Sequence, residues 1–351
     1  MDMINLGLDK WLKNHAKELC GSEHSVARVV AIDRGQYTVK NETGETHATL
    51  MGKFFHNAES SIDFPCVGDW VCVEYRDDGS PANIHNVFPR KTFLRRKIAG
   101  RDIEHQMLAA NIDMAFIVQS CHFDFNIRRL ERYLVMVNDG YIEPLLVLTK
   151  TDLISSDELG QLIAEIRGAG IDTEIIALSN VTGSGIEKIQ EIMTPRKTYC
   201  LLGSSGVGKT TLINRLRGNS ELATQTVSDT GEGRHTTTRR QLMLLEQGAM
   251  LIDMPGIREL GILNADKGLS DSFADVVELS EQCHFTDCSH INEPRCAILA
   301  ALENGELNQN HYQSYLKLKK ESEFNEMSHA EKRKKGKDLS KLIQTVKKNR
   351  H

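Results

Sequence analysis

No apolar run in this chain approaches the roughly 18 residues needed to span a bilayer as a helix. The richest stretches, Met114–Val118 and Pro144–Leu148, have the length of buried strands. A secretory leader is not apparent either. The N-terminus, MDMINLGLDKWLKNHAKELC, interleaves charge with apolar residues at helical spacing and lacks the apolar core of a signal peptide. Internal repeats are absent, which sets repeat architectures aside. These absences predict a soluble, cytoplasmic protein with no membrane partner. Composition excludes global disorder, because 40% of residues are hydrophobic and 26% charged. A length of 351 residues predicts two or three domains.

Charge is unevenly spread. Tyr312–His351 hold 12 basic and 5 acidic residues, whereas residues 1–311 hold 31 basic and 43 acidic. A basic tail on an acidic body fits local contact with nucleic acid, and equally a solvated lysine-rich helix. Five of the eight cysteines, Cys20, Cys66, Cys72, Cys121 and Cys200, are scattered, and read most simply as reduced core thiols. The other three fall within one short segment.

Residues 1–24 read as an N-terminal amphipathic helix and its exit. Residues 25–90 break into short β-prone runs (VARVVAI, QYTVK, THATLMG, DWVCVEY) separated by Gly and Asp/Asn turns, the pattern of a small closed barrel such as an OB-fold. Residues 91–102 look like a basic linker. Residues 103–264 alternate strand-like with helical runs, which predicts a mostly parallel sheet covered by helices on both faces. Residues 265–351 turn helical and polar, carry the cysteine cluster, and end in the lysine-rich tail.

The strongest motif is Gly203-Ser204-Ser205-Gly206-Val207-Gly208-Lys209-Thr210, a complete GxxxxGK[ST] between an apolar run and a helical one that opens at Thr211. Glycines let successive backbone N–H groups converge on a phosphate, with a helix N-terminus behind them. Lys209 would lie between β- and γ-phosphates, and the Thr210 hydroxyl would hold Mg²⁺. Downstream, Asp253-Met254-Pro255-Gly256 follows another apolar run. There Asp253 would support Mg²⁺ and the Gly256 N–H would approach the γ-phosphate.

Base selection needs a carboxylate that accepts both N1–H and N2–H of guanine. Thr149-Lys150-Thr151-Asp152 fits the [NT]KxD form, with Asp152 making the bidentate contact and the Lys150 stem packed over the base. Thr149 in place of Asn is expected to loosen the bracing of that loop. Ser179-Asn180 is the candidate second base loop, although the usual pair there is Ser-Ala. Between the phosphate elements, Gly231–Thr238 (GEGRHTTT) has the makeup of a switch. Either Thr236 or Thr237 would sense Mg²⁺ and the γ-phosphate. His235 is a candidate for orienting the attacking water, or a switch residue that meets a partner. Ile257 occupies the position where many GTPases carry a catalytic Gln, so another group or a partner must orient the water.

Cys283-x4-Cys288-x-His290-x5-Cys296 supplies a complete tetrahedral donor set for one structural Zn²⁺. Guanine elements precede phosphate elements along the chain, the reverse of the usual GTPase order.

Taken together, these motifs closely resemble the circularly permuted GTPases called ribosome small subunit-dependent GTPase A, nearly end to end. The shared features are the barrel, TKTD ahead of GSSGVGKT, GRHTTT, DMPG followed by an apolar residue, C-x4-C-x-H-x5-C, and a lysine-rich tail. The resemblance implies a multidomain fold: an all-β OB-like barrel, a permuted α/β P-loop GTPase domain and a mostly helical zinc-binding C-terminal domain. It also implies a GTPase that acts late in small (30S) subunit assembly and is stimulated by that subunit, with 16S rRNA as partner surface, GTP and GDP as ligands, and a monomeric state. On this resemblance zinc falls on Cys283, Cys288, His290 and Cys296, and GTP on Thr149–Asp152 and Gly203–Thr211. His235 matches the histidine proposed to act in hydrolysis. Gly206 stands where some related GTPases hold potassium through Asn, so that ion is not expected by this route. Two other readings compete: an ATPase, for which Asp152 would be irrelevant to base choice, and an RNA-assembly module that keeps GTP as a static ligand.

Overall fold

The structure is a computed structural model. It describes residues 2–327 and 331, apart from 34, 53, 55–57, 59, 77–79, 98–104, 219–238 and 255–264. A 3-10 turn at Met3–Leu6 ends at Gly7, whose φ of 90° reverses the chain. Helix α1 (Lys10–Leu19) then starts behind Asp9, whose side chain accepts from the Leu12 N–H. The N-terminal segment is therefore two short pieces rather than one helix.

Five strands follow: β1 (Ser25–Asp33), β2 (Gln36–Lys40), β3 (Glu45–Leu50), β4 (Trp70–Glu74) and β5 (Ala82–Val87). They pair in the order β1-β2-β3-β5-β4, and β4 returns to β1, so the barrel is closed. Inward side chains from alternate positions, among them Ala27, Val29, Tyr37, Val39, Val71 and Val73, fill it. Helix α1 lays Leu12 on the outside of the barrel against Trp70, Cys72 and Phe88. There the structure corrects the reading of the scattered cysteines. Cys20 and Cys72 are joined as a disulfide with Cα atoms 5.6 Å apart, whereas Cys66, Cys121 and Cys200 are free and buried. Fifty-two residues separate the pair in sequence, and only the docking of α1 on β4 brings them together.

The segment read as a basic linker also differs. It carries strand β6 (Phe93–Lys97), antiparallel to β7 (His105–Ala110). Arg95 in β6 pairs with Asp139 at 3.0 Å, and its guanidinium lies 5.0 Å from the Phe93 ring centre.

The central sheet comprises β8 (Met114–Ser120), β9 (Glu143–Thr149), β10 (Ile175–Ala177), β11 (Thr198–Leu202), β12 (Arg240–Leu244) and β13 (Met250–Asp253). Its order is β10-β9-β8-β11-β13-β12, parallel except for β12. Helices α2 (Ile127–Asp139) and α3 (Ser156–Gly168) bury Leu130, Tyr133, Leu134 and Ile166 on one face. On the other, α4 (Ile186–Ile192) and α5 (Lys209–Arg217) bury Ile189, Leu212, Ile213 and Leu216. Strand β12 also pairs with β1, through Gln241–Ala31 and Arg240–Ile32, so sheet and barrel share one hydrogen-bonded surface.

Arg28 pegs this junction. Its buried guanidinium donates to the carbonyls of Leu6, Gly68 and Asn111 and to Thr198 Oγ1, over distances of 2.6–3.1 Å. Burial pushes its pKa down to about 10, opposed by Asp113 and Asp69.

C-terminal to the sheet, α6 (Asp266–Ser272), α7 (Ala274–Glu281), α8 (Ala297–Glu303) and α9 (Gln309–Glu326) surround Phe273, Val276, Ile298 and Tyr312. Val135 of α2 joins that core. Among the described residues no helix is long and apolar enough to cross a membrane.

Candidate functional site

Strand order locates the crevice. From β8 the chain winds outward to β9 and β10, then returns to β11 on the other side of β8 and continues to β13. Connections therefore leave β8 and β11 in opposite directions, and ligands bind at the C-terminal ends of strands at such a switch point.

Gly203–Gly208 occupy that position. Gly203 has φ of 151°, and a Cβ there would lie 2.2 Å from the Val118 carbonyl oxygen. Only glycine lets the loop rest against β8. Gly208, in the left-handed region, ends the loop, and α5 begins at Lys209 with no side chain capping its N-terminus. Its first amides are thus left for an anion. The Lys209 ammonium donates to the carbonyls of Gly203 and Ser204. Burial pushes it down to about 8, against the pull of Asp253. A desolvated cation whose hydrogen-bond partners are its own loop carbonyls fits a polyanion. Thr210 follows in the first turn of α5, and Thr211 after it. At the end of β13 the Asp253 carboxylate is raised by burial and opposed by Lys209 and Arg217. Thr210 and Asp253 are the described donors suited to Mg²⁺.

The candidate base loops touch the Gly203–Gly208 loop directly. Thr149 is buried, and its Oγ1 lies 2.6 Å from the Val207 carbonyl oxygen. Asn180 Nδ2 donates to the Gly208 carbonyl at 3.1 Å. Thr149, a shorter side chain than the usual Asn, reaches the loop, and Asn180 adds a second brace. Because C=O and N–H point oppositely across a trans peptide, fixing these two carbonyls orients the Gly208 and Lys209 amides. Lys150 takes a left-handed conformation, φ 61°, that starts the turn Thr151–Leu153. The Asp152 carboxylate accepts from Ser179 Oγ. Ser179 Oγ in turn accepts from the Val181 and Thr182 amides at 3.1 Å each.

Thr149–Asp152, Ser179–Asn180, Gly203–Thr211 and Asp253 are thus gathered around one crevice. His235, Thr236, Thr237 and Gly256, with Ile257, lie outside the described residues. Sequence reasoning missed Arg215, whose guanidinium donates to the Asn180 and Val181 carbonyls of the candidate second base loop. Nothing in a helix-borne arginine signals that contact.

A second cluster lies in the C-terminal unit. The ligand atoms of Cys283, Cys288, His290 and Cys296 all lie within 4.8 Å of one another. Cys283 Sγ is 3.8 Å from Cys296 Sγ, and His290 Nδ1 lies 3.5 and 3.4 Å from those sulfurs. A tetrahedron with Zn–S bonds of about 2.3 Å has edges of about 3.8 Å. The four donors therefore fit a four-coordinate metal such as zinc.

A doubly wound sheet in which the Thr149–Asp152 and Ser179–Asn180 loops precede the Gly203–Gly208 loop has the chain order of its class, the circularly permuted P-loop GTPases. The RsgA GTPase family model matches residues 87–263. The Lactiplantibacillus plantarum protein named small ribosomal subunit biogenesis GTPase RsgA 2 is 41% identical over 300 residues, 85% of this chain and 84% of its own length. The Bacteroides thetaiotaomicron RsgA 1 is 37% identical over 351 residues, 99% of this chain and 98% of its own. Among solved structures, YjeQ from Thermotoga maritima aligns with a TM-score of 0.61 at 28% identity, over 84% of this chain and 97% of its own. YloQ, described as a circularly permuted GTPase, aligns at 0.58 and 25% identity, over 84% and 94%. The chain belongs to the RsgA GTPase family, whose activity is GTP hydrolysis.

Proposed function

We propose that this protein hydrolyses GTP in the β8/β11 crevice during biogenesis of the small ribosomal subunit, as a cytoplasmic monomer. The supporting observation is the direct bracing of the phosphate loop by the base loops, through Thr149–Val207 and Asn180–Gly208. Asp152, oriented by Ser179, would accept the guanine N1–H and N2–H, with Lys150 over the base. Lys209 and the amides of Ser204–Thr210 would neutralise charge that develops on the β- and γ-phosphates. Thr210 and Asp253 would hold the Mg²⁺ that accompanies GTP, and that ion would add further charge neutralisation. Water attacks the γ-phosphorus in line, the bond to the β-bridging oxygen breaks, and GDP and phosphate leave. His235 would orient that water, and Thr236 or Thr237 with the Gly256 N–H would register the γ-phosphate. Ile257 cannot hydrogen-bond water, so intrinsic turnover is slow and the subunit completes the site.

The barrel and the tail supply the surface for 16S rRNA. The basic segment near Arg95-Arg96-Lys97 would add to that surface, with Arg95 itself paired to Asp139. RNA binding should therefore weaken steeply with salt. One structural Zn²⁺ would be held by Cys283, Cys288, His290 and Cys296.

The decisive measurement is GTP turnover by wild type and Lys209→Ala, with and without purified small subunits. Stimulation of wild type alone is expected. Turnover that small subunits leave unchanged would remove the assembly role, and no phosphate release in either case would favour a static GTP-binding module.

A further inference from the structure

Ser179–Gly183, the second base loop, has little apolar anchorage. Val181 is 76% exposed, and Thr182 beside it is exposed as well. Its position must come from polar contacts. One set lies within the loop, where Ser179 Oγ gathers the Val181 and Thr182 amides and reaches Asp152. Another is the Asn180 side chain on the Gly208 carbonyl. The third comes from outside: Arg215, in the last turn of the phosphate-loop helix α5, donates through Nη2 to the Asn180 carbonyl at 2.7 Å and the Val181 carbonyl at 3.1 Å. Its other terminal nitrogen, Nη1, lies 3.7 Å from where a Cβ on Gly183 would be. The guanidinium thus sits in the palm of the turn.

We propose that Arg215 is a positioning residue for guanine selectivity, clamping the second base loop to the phosphate-loop helix so that Ser179 holds the Asp152 carboxylate square to the base. The inference rests on the reading of Asp152 as the guanine reader. Three features make the arrangement a clamp rather than an incidental surface contact. Two consecutive carbonyls are engaged by one guanidinium nitrogen, which fixes the turn's orientation as well as its distance. Those carbonyls belong to the residues immediately after Ser179, so any tilt of the turn moves Ser179 Oγ and the carboxylate bonded to it. Among the described residues Arg215 makes no ion pair, and its partners are these two carbonyls. Phosphate binding and base reading are thereby tied to one helix: Lys209 at its start serves the phosphates and Arg215 near its end serves the base.

A simpler role is available to Arg215, since a cation in the last turn of α5 also complements the helix dipole. That role stabilises the fold and is blind to the base. The test compares wild type, Arg215→Ala, Arg215→Lys and Asp152→Ala. Dissociation constants for fluorescent GDP, IDP and ADP are measured together with melting temperature. IDP lacks the 2-amino group that the Asp152 carboxylate would read. For Arg215→Ala, GDP should weaken about fivefold while IDP and ADP change less than twofold. Arg215→Lys should recover part of the lost GDP-over-IDP preference. Equal weakening of all three nucleotides, or a lowered melting temperature with affinities unchanged, would overturn the clamp. If Asp152→Ala abolishes the GDP preference and Arg215→Ala leaves it whole, the clamp alone is wrong. If Asp152→Ala keeps the preference, the base-reader assignment itself falls.

Discussion

The carbonyl oxygen of Val118 lies against Gly203, where an added Cβ would fall 2.2 Å away, and the Gly203 φ of 151° is itself costly for any other residue. Val118 belongs to an inner strand bonded on both sides and cannot give way. Gly203→Ala should therefore lower stability by about 2 kcal/mol and displace the first turn of the phosphate loop, with GDP binding lost. Denaturant unfolding and a GDP titration would check both, and wild-type values in each would refute the cradle as described. The need for glycine here was legible in the sequence, because the spacing to Lys209 and Thr210 already demanded it. Asn180 was legible only as a departure from the usual Ser-Ala. Its bond to the Gly208 carbonyl depends on two loops far apart in the chain meeting at the switch point. Arg215 carried no signal, since its partners are main-chain oxygens and any residue supplies those.

Among the elements, strands bounded by turn residues were the most readable. QYTVK became β2 over the same five residues, because Gly35 before it and Asn41 with Gly44 after it mark the ends. Strand β6 was hidden by its own basic residues: Phe93–Lys97 reads FLRRK, and the pairing with β7 shows only in the fold. Arg95 there answers Asp139 at the end of α2, a contact across 44 residues. The disulfide escaped for a similar reason, since α1 has to dock on β4 before Cys20 meets Cys72. The cysteine–histidine loop was readable because its donors are local. It links α7 and α8, helices of eight and seven residues that are too short to hold by themselves. Cys283, Cys288 and Cys296 pack partly into the same core as Phe273 and Tyr312. Removing metal with a strong chelator should thus cost helical circular dichroism and ANS-free behaviour in the C-terminal unit. GDP binding should persist, since none of the crevice residues comes from α6–α9. Loss of no helical signal after verified metal removal would refute a structural site.

On the scale of the whole molecule, the permuted order sends the chain from β13 into the C-terminal unit, and α2 of the central sheet receives that unit. Val135 of α2 enters its core, and Arg132 meets Glu321 of α9 through two nitrogens, at 2.6 and 2.7 Å. Between these lies His311, 2% exposed and stacked on Phe273. Its Nδ1 is 3.0 Å from Glu131 Oε1 on α2, and its Nε2 is 3.1 Å from Asp275 Oδ1 on α7. Gly170, after α3, closes the remaining side, where a Cβ would lie 3.3 Å from Nε2. Burial works against the charged imidazole, yet the two carboxylates outweigh it and push its pKa from 6.5 up to about 9. Both rings nitrogens are then donors, and each is answered by an acceptor on a different element. Below about pH 6.5 folded and unfolded chains both hold the proton, and the full stabilisation is present. As pH rises the unfolded chain releases it first, so the contribution declines through the window up to about 9 and is gone above it. Melting temperature should accordingly fall between pH 6.5 and 9, and His311→Gln, which can keep one hydrogen bond but no charge, should flatten that fall. A wild-type slope that survives the substitution unchanged would show that the carboxylates do not hold a protonated imidazole, and that the C-terminal unit is fastened to α2 by Arg132 and the shared apolar core instead.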